Sequence, residues 1–207
     1  DHYLTDKLAC SYAAGEFQFG KKAMDKGEVF IAPNGIDLDE FEFKEEKRIE
    51  ARKELGLNDN DFVIGHIGRF VPQKNHVFIA EIAKEIVEEL PNAKFLLLGD
   101  GPLLEETKDE VNKLGLTNSF TFAGTKADTA PYYSAMDCFM LPSLYEGLPV
   151  VSIEAQANGL PLLMSNAITR EAGLLSTTKF LSLDDIPGWK NSIAGISKAN
   201  TFSSTHL

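Results

Sequence analysis

The chain has 207 residues, of which 43% are apolar, enough to bury the core of one domain or of a domain with a short attachment. A formal net charge of −11 argues against a general nucleic-acid binder, so a phosphate site would have to be a local basic spot. No apolar run approaches the ~20 residues that span a bilayer, no signal peptide opens the chain, and two cysteines favour a reducing, cytoplasmic compartment. Because the sequence begins at Asp1 without a methionine, we expect a fragment of a longer protein.

The first part of the chain has a less regular pattern than the rest. We predict a short strand within residues 1–11, a short helix over Glu16–Lys26, and a strand at Val29–Ala32. A Pro33-Asn34-Gly35 turn follows that strand, and a charged helix is predicted over Glu45–Leu55.

From residue 62 onward, apolar runs alternate with helical patterns. Strands are predicted at Phe62–Ile67, Lys94–Leu98, Ser119–Ala123, Asp137–Leu141, Pro161–Ser165 and Phe180–Leu181. Helices are predicted at Asn75–Leu90, Leu103–Leu114, Thr129–Met136, a run that begins near Leu148, and Ile186–Lys198. This alternation implies an α/β fold with a Rossmann-like, doubly wound parallel sheet, whose ligands lie outside the carboxyl ends of the strands.

One segment, residues 141–161, combines an apolar strand end with a loop and the start of a helix. The loop carries Glu146, Gly147 and Leu148, and Glu154 falls on the second turn of the helix. We place Pro149 in the first helical turn, where its missing N–H has no intrahelical partner anyway. Helix N-termini attract anions, whereas carboxylates accept hydrogen bonds from hydroxyls. A ligand with phosphate in the middle and hydroxyls at both ends is a nucleotide sugar.

Two cations follow the first strand of the regular pattern. Gly68-Arg69 comes directly after that strand and Lys74 opens the next helix, so both side chains would lie on the ligand side of the sheet, where they suit a diphosphate. Each could instead be an ordinary solvated surface cation. Gly99 and Gly101 end the next strand and permit close approach of a ligand to the backbone, although an ordinary turn capped by Asp100 would look the same.

Other polar residues give weaker signals. Asp37 and Asp39 resemble the Asp-x-Asp metal site of some sugar-transfer enzymes, but paired carboxylates are common in loops, and no His/Cys cluster has metal-ligand spacing. Residues 122–126 end a strand and could border a base, with Lys126 more typical of a surface residue. His66 is typical of a core or sheet-edge histidine.

These residues together resemble the C-terminal half of group-1 glycosyltransferases, retaining enzymes with two Rossmann-like domains in the GT-B architecture. The segment 33–37 resembles the joint between their two halves, and Gly68-Arg69 with Lys74 resembles their diphosphate pair. Glu146 and Glu154, separated by seven residues, match their paired-glutamate signature. The runs 73–76 and 154–157 are similar to enzymes of capsular and exopolysaccharide assembly.

The resemblance implies a role for each site residue. Glu154 would hold the ribose hydroxyls of the donor nucleotide, and Glu146 would bind hydroxyls of the donor sugar. Arg69 and Lys74 would stabilise negative charge on the leaving diphosphate, so these two and Glu146 are the expected catalytic residues. The expected donor-binding residues are Gly68, Arg69, Lys74, Gly99, Gly101, Gly147, Leu148 and Glu154. The family needs no metal or other cofactor, and the donor is expected to be UDP-linked.

The same resemblance sets the expected domains and partners. Residues 1–37 would be the end of an N-terminal domain and the interdomain joint, and residues 38–207 the nucleotide-sugar-binding domain. Retaining transfer of a hexosyl group to a glycan or lipid-linked acceptor would then need the missing N-terminal domain, so the fragment alone should be inactive. We expect a cytoplasmic protein, with a peripheral contact at the inner face of the plasma membrane in its full-length form. The alternatives are a nucleotide-sugar epimerase of the same architecture and a non-enzymatic, flavodoxin-like module.

Overall fold

A computed structural model of the chain describes the backbone of residues 6–204 and the side chains of residues 6–200. The first part contains six elements, β1 Lys7–Ala9, α1 Tyr12–Phe19, α2 Lys21–Asp25, β2 Val29–Ile31, α3 Leu38–Phe41 and α4 Glu45–Leu55. β1 confirms the strand predicted within residues 1–11, of which residues 1–5 lie outside the described range. β1 and β2 pair in parallel and form a small sheet that is separate from the main one.

Two predictions about this first part are corrected. The single helix predicted over Glu16–Lys26 is wrong, because α1 and α2 are separate helices that meet at Gly20. Gly20 has φ 80°, a conformation that glycine adopts without the steric cost that a Cβ would bring. The short helix α3 was not predicted, and it begins where Asp37 Oδ1 accepts a hydrogen bond from the Asp39 amide at 3.1 Å.

The main sheet has six parallel strands in the order β5-β4-β3-β6-β7-β8. The strands are β3 Phe62–Ile67, β4 Ala93–Leu98, β5 Phe120–Gly124, β6 Cys138–Leu141, β7 Leu162–Ser165 and β8 Thr178–Leu181. The helices that follow β3 are α5 His76–Glu89, α6 Leu104–Lys113, α7 Ala130–Ala135, α8 Val150–Ala157 and α9 Ile186–Ser204. The predicted Rossmann-like, doubly wound sheet is therefore confirmed. Across the described residues, no helix is long and apolar enough to span a bilayer.

Both faces of the sheet are covered by apolar side chains, as parallel sheets require. Alternate residues of each strand enter different core clusters, so that Ile64 lies in one cluster and Val63 in the other. The first cluster includes α5 and α9, where Phe78 and Trp189 meet edge to face at 5.3 Å. The second cluster lies against α3, α4, α7 and α8 and includes Tyr133.

The strand order reverses between β3 and β6, which lie side by side although they are far apart in sequence. At the amino ends of these strands, the buried Arg52 and Asp137 form an ion pair at 2.8 Å, and the same Asp137 carboxylate accepts the Val63 amide at 2.7 Å. Beyond the carboxyl ends, the chain continues from β3 to α5 on one face of the sheet and from β6 to α8 on the other face. Such a reversal leaves a crevice in which doubly wound proteins bind ligands.

Candidate functional site

The loops that follow β3 and β6 are joined to each other by hydrogen bonds. The Leu144 amide donates to the Gln73 carbonyl at 2.8 Å, and Gln73 Nε2 donates to the Tyr145 carbonyl at 2.9 Å. Asn75 Nδ2 donates to the Pro142 carbonyl at 3.2 Å. These bonds hold the two loops in one arrangement, so the side chains between them have defined positions.

Lys74 and Glu146 form an ion pair across this junction. Lys74 Nζ donates to Glu146 Oε1 at 2.7 Å, and the side chains are only 16% and 10% exposed. A Cβ added at Gly68 would approach Lys74 Cδ to 3.2 Å, so glycine at that position leaves room for the lysine. The structure therefore brings together the residue predicted to bind diphosphate and the residue predicted to bind sugar, a contact that the sequence did not indicate.

Arg69 lies in a different part of the crevice. Its side chain is exposed and lines a cleft of about 430 Å³ at the carboxyl ends of β3, β4 and β5. Among the side chains of residues 6–200, no carboxylate forms an ion pair with its guanidinium. The other residues of this cleft include Gly68, Gly99, Asp100, Gly101, Thr125 and Lys126.

Backbone packing explains why residues 99 and 101 are glycines, whereas the prediction was that they allow a ligand to approach. Their φ angles are 134° and 155°, and a Cβ at Gly101 would lie 2.5 Å from the Phe70 carbonyl oxygen. A Cβ at Gly99 would collide with the Gly68 carbonyl oxygen. Both glycines thus allow the turn after β4 to lie directly against the loop after β3, which forms the floor of the cleft.

α8 begins two residues later than predicted. Pro149 is the N-cap, with an extended ψ of 116°, and the first helical residue is Val150. The Ser152 amide already donates to the Pro149 carbonyl at 3.0 Å, which leaves the amides of Val150 and Val151 at the helix N-terminus. Placing Pro149 inside the first turn was therefore wrong, and Leu148 lies before the cap, where it packs against the second core cluster.

Glu154 lies on the second turn of α8, as predicted, and is half-buried. Its Oε2 accepts a hydrogen bond from the Tyr133 hydroxyl at 2.6 Å. Burial raises the pKa of the Glu154 carboxyl, the Glu40 carboxylate adds to that rise, and the bond from Tyr133 lowers the pKa. Burial, together with the neighbouring Glu154, raises the pKa of Tyr133 well above its usual value, so the phenol remains a hydrogen-bond donor.

A buried pair of histidines lies beneath the loop after β3. His66 Nδ1 is 2.8 Å from the Met140 carbonyl, and the rings of His66 and His76 meet edge to face at 4.7 Å. Phe70 stacks on His76 at 3.8 Å. Burial lowers the pKa of His76 to about 4, helped by the charge of Lys74, and lowers that of His66 well below its usual value. Both imidazoles are therefore neutral at neutral pH, and the core position predicted for His66 is confirmed.

Glu146 also borders a second, larger cleft. This cleft of about 780 Å³ lies between α1 and the loop after β6, and its lining includes Cys10, Ala14, Gln73, Glu146 and Gly147. The amides of Tyr12 and Ala13, at the start of α1, donate to the Glu171 carboxylate at 3.3 and 3.4 Å. The first part of the chain thus contributes one wall beside Glu146.

The remaining sequence signals have structural roles. Asp37 caps α3, as described above, and Lys126 pairs with Glu54 at 2.7 Å. Within the described residues, no cluster of three or more His, Cys, Asp or Glu side chains could hold a metal ion.

Comparison with known proteins matches this chain to one family. The family model described as "Glycosyl transferases group 1" matches residues 47–176. A putative glycosyltransferase, EpsF, of Bacillus subtilis (strain 168) is 38% identical over 192 residues, which are 92% of this chain and 50% of that protein. The UDP-Gal:alpha-D-GlcNAc-diphosphoundecaprenol alpha-1,3-galactosyltransferase of Escherichia coli is 38% identical over 146 residues, 69% of this chain and 38% of that protein. The chain thus spans half or less of the length of these relatives.

A solved structure shares the fold. Anabaena Alr3699/HepE in complex with UDP and glucose superposes with a TM-score of 0.75 and 19% identity, over 100% of this chain and 64% of that one. At that identity the likeness concerns the fold alone. It extends over the whole described chain, including the first part with its separate small sheet.

Proposed function

Since the chain belongs to the group 1 glycosyl transferases, we propose that it is the donor-binding half of a retaining hexosyltransferase of polysaccharide biosynthesis. In the full-length protein it binds a nucleotide-diphosphate-sugar, and the missing N-terminal domain binds the acceptor. Residues 1–37 are the end of that domain and the joint, and residues 38–207 are the donor domain. The fragment alone binds donor without completing the transfer.

One observation carries this proposal, the placement of Glu146 and Glu154 on either side of the N-terminus of α8. The helix N-terminus offers the amides of Val150 and Val151 to an anion. Lys74 lies on the Glu146 side, where the ion pair at 2.7 Å holds its ammonium. An anion-binding site between two carboxylates, each able to accept hydrogen bonds from hydroxyls, fits a diphosphate with a ribose at one end and a sugar at the other.

We assign each residue a role on that basis. Glu154 accepts hydrogen bonds from the ribose, and Glu146 from the donor sugar in the larger cleft. Arg69 and Lys74 stabilise the charge that develops on the departing diphosphate. The cleft floored by Gly68, Gly99 and Gly101 takes the nucleoside, while Gly147 and Leu148 set the position of the phosphates.

The donor is UDP-linked, and no metal is required. The Escherichia coli relative is a UDP-Gal-dependent galactosyltransferase and the Anabaena structure is a complex with UDP, which supports a uridine nucleotide. With two cations and a helix N-terminus available, the diphosphate charge can be neutralised by the protein itself. The acceptor is a glycan or a lipid-linked glycan, reached from the cytoplasm by a protein that contacts the inner face of the plasma membrane peripherally.

A thermal-shift panel of UDP, GDP, ADP and uridine tests the proposal. A ligand at 100 times its Kd stabilises the folded state by ~2.7 kcal/mol, which for a chain of this size raises Tm by about 5–10 °C. We expect UDP to give the largest rise and uridine a smaller one at equal concentration. A flavodoxin-like module without a nucleotide site would show no rise with any of them. An epimerase would bind UDP equally, but the full-length protein would then isomerise the nucleotide sugar without an acceptor.

A further inference from the structure

Among residues 6–200, Tyr133 is the one buried phenol that bonds to a residue of the proposed site. Its ring is fully buried, and it meets Phe41 edge to face at 5.8 Å and the tilted ring of Phe139 at 5.5 Å. The hydroxyl lies 2.6 Å from Glu154 Oε2 and 3.4 Å from the Val151 carbonyl. Because both torsions of the side chain are fixed by packing, the hydroxyl is a donor with a defined position.

The bond from Tyr133 fixes which part of the Glu154 carboxylate is available. Oε2 is occupied by the phenol, so Oε1 is the oxygen that is left for a ligand. A glutamate has three side-chain torsions, and a hydrogen bond to one oxygen restricts them before the ligand arrives, which lowers the entropic cost of binding. A carboxylate has about four lone-pair sites, so the phenol does not exhaust its capacity.

We infer that Tyr133 is a positioning residue for nucleotide binding, which holds Glu154 in the orientation and the ionised state that accept the ribose hydroxyls. This inference rests on the proposed function, because it needs Glu154 to contact the nucleotide. Tyr133 itself touches no substrate and acts only through Glu154.

The electrostatic part of this role has a definite sign. Two groups face the Glu154 carboxyl, the Glu40 carboxylate from α3 and the Tyr133 hydroxyl from α7. Burial and Glu40 raise its pKa, and only Tyr133 lowers it. Without the phenol the pKa rises further, so Glu154 becomes protonated at a higher pH as the solution is acidified. Protonation places a hydrogen on an oxygen that should accept one, and nucleotide affinity falls.

Tyr133→Phe tests the inference, and Tyr132→Phe is a matched control. Tyr132 is the neighbouring residue, and its hydroxyl donates at 2.9 Å to Glu54, a different carboxylate. Calorimetric titration with UDP from pH 5 to 8 should show roughly 10-fold weaker binding by Tyr133→Phe at neutral pH, the low end expected for a hydrogen bond to a charged group. The acid limb of log Kd should move to higher pH, and Tyr132→Phe should leave both the affinity and the position of the limb unchanged.

The β-phosphate of UDP also titrates near pH 6. Because this titration is the same for every variant, a difference between variants in the pH dependence of UDP affinity comes from the protein. The same two tyrosine changes are therefore repeated on a Glu154→Gln background. There Tyr133→Phe should no longer move the limb, because the group that it tunes is absent.

The outcomes separate this inference from the proposed function. If the unchanged chain fails to bind UDP, the proposed function is overturned and the inference with it. If the chain binds UDP and Tyr133→Phe lowers affinity by the same factor at every pH, Tyr133 is merely structural. If Tyr133→Phe still shifts the acid limb on the Glu154→Gln background, another group titrates and the inference is wrong. This comparison is made within the Glu154→Gln background, so it does not depend on whether Tyr133→Phe alone is stable enough to measure.

Discussion

With the roles proposed for Lys74 and Glu146, their ion pair would make nucleotide and sugar recognition interdependent. At 2.7 Å the ammonium is already neutralised in the donor-free protein, so an incoming diphosphate has to compete with Glu146 for it. A charge-assisted hydrogen bond contributes ~1.5–3 kcal/mol, and the partial exposure of both side chains places this pair near the lower end. Glu146→Gln removes the competitor and should therefore tighten UDP binding by up to about tenfold.

The affinity for UDP-glucose should not rise as the affinity for UDP does. UDP-glucose gains the same benefit from the released Lys74 but loses the carboxylate that accepts its hydroxyls. The ratio of UDP affinity to UDP-glucose affinity should therefore rise by about tenfold or more in Glu146→Gln. Titration of both ligands measures this ratio, with a circular-dichroism melt to show that the variant is folded.

Glu171→Gln is the matched control for this experiment. It removes the same unit of charge from an exposed carboxylate that bonds to amides of α1 and not to a lysine. Its effect on both ligands should be small, because charges without direct contact are screened. The proposed competition between Glu146 and the diphosphate for Lys74 is wrong if Glu146→Gln weakens UDP binding. It is also wrong if Glu171→Gln tightens UDP binding by as much as Glu146→Gln does.

The remaining predictions concern the phosphate site and the domain boundary. Arg69→Ala should weaken UDP by ~1.5–3 kcal/mol, roughly 10- to 150-fold, and leave uridine nearly unchanged; equal losses for both ligands in titration would make Arg69 structural. Deleting residues 1–35 should leave a cooperative urea transition, because β1 and β2 form their own sheet while Ile36 and Phe41 pack on the second core cluster and are retained. A broad, non-cooperative transition would mean that the first part of the chain belongs to the core of the donor domain.

The sequence predicted correctly those features that depend on residues close together in the chain. All six residues of β3 are buried, and a largely apolar run of that length, ended by Gly68, is typical of a central parallel strand. The spacing of Glu146 and Glu154 around a Pro-initiated helix likewise depends only on residues that are neighbours in the chain. Local patterns therefore predicted the sheet and the positions of the two carboxylates along the chain.

The contacts that give these residues their properties could not be predicted in this way. Lys74 and Glu146 are 72 residues apart, and Tyr133 and Glu154 are 21 apart on different helices. No periodicity connects such pairs, since their meeting depends on the strand order and on the conformation of two loops. The start of α8 was misplaced for a related reason, because Pro149 is compatible with the first helical turn and with the extended N-cap that it adopts.

The proposed function depends most directly on a nucleoside diphosphate site that needs no metal. Calorimetric titration of the 207-residue chain with UDP in the presence of a chelator measures this. We expect saturable heat with one site, and unchanged affinity when Mg²⁺ or Mn²⁺ is then supplied in excess over the chelator. Binding that appears only with the metal would contradict the assignment to Arg69, Lys74 and the N-terminus of α8, and would return attention to Asp37 and Asp39.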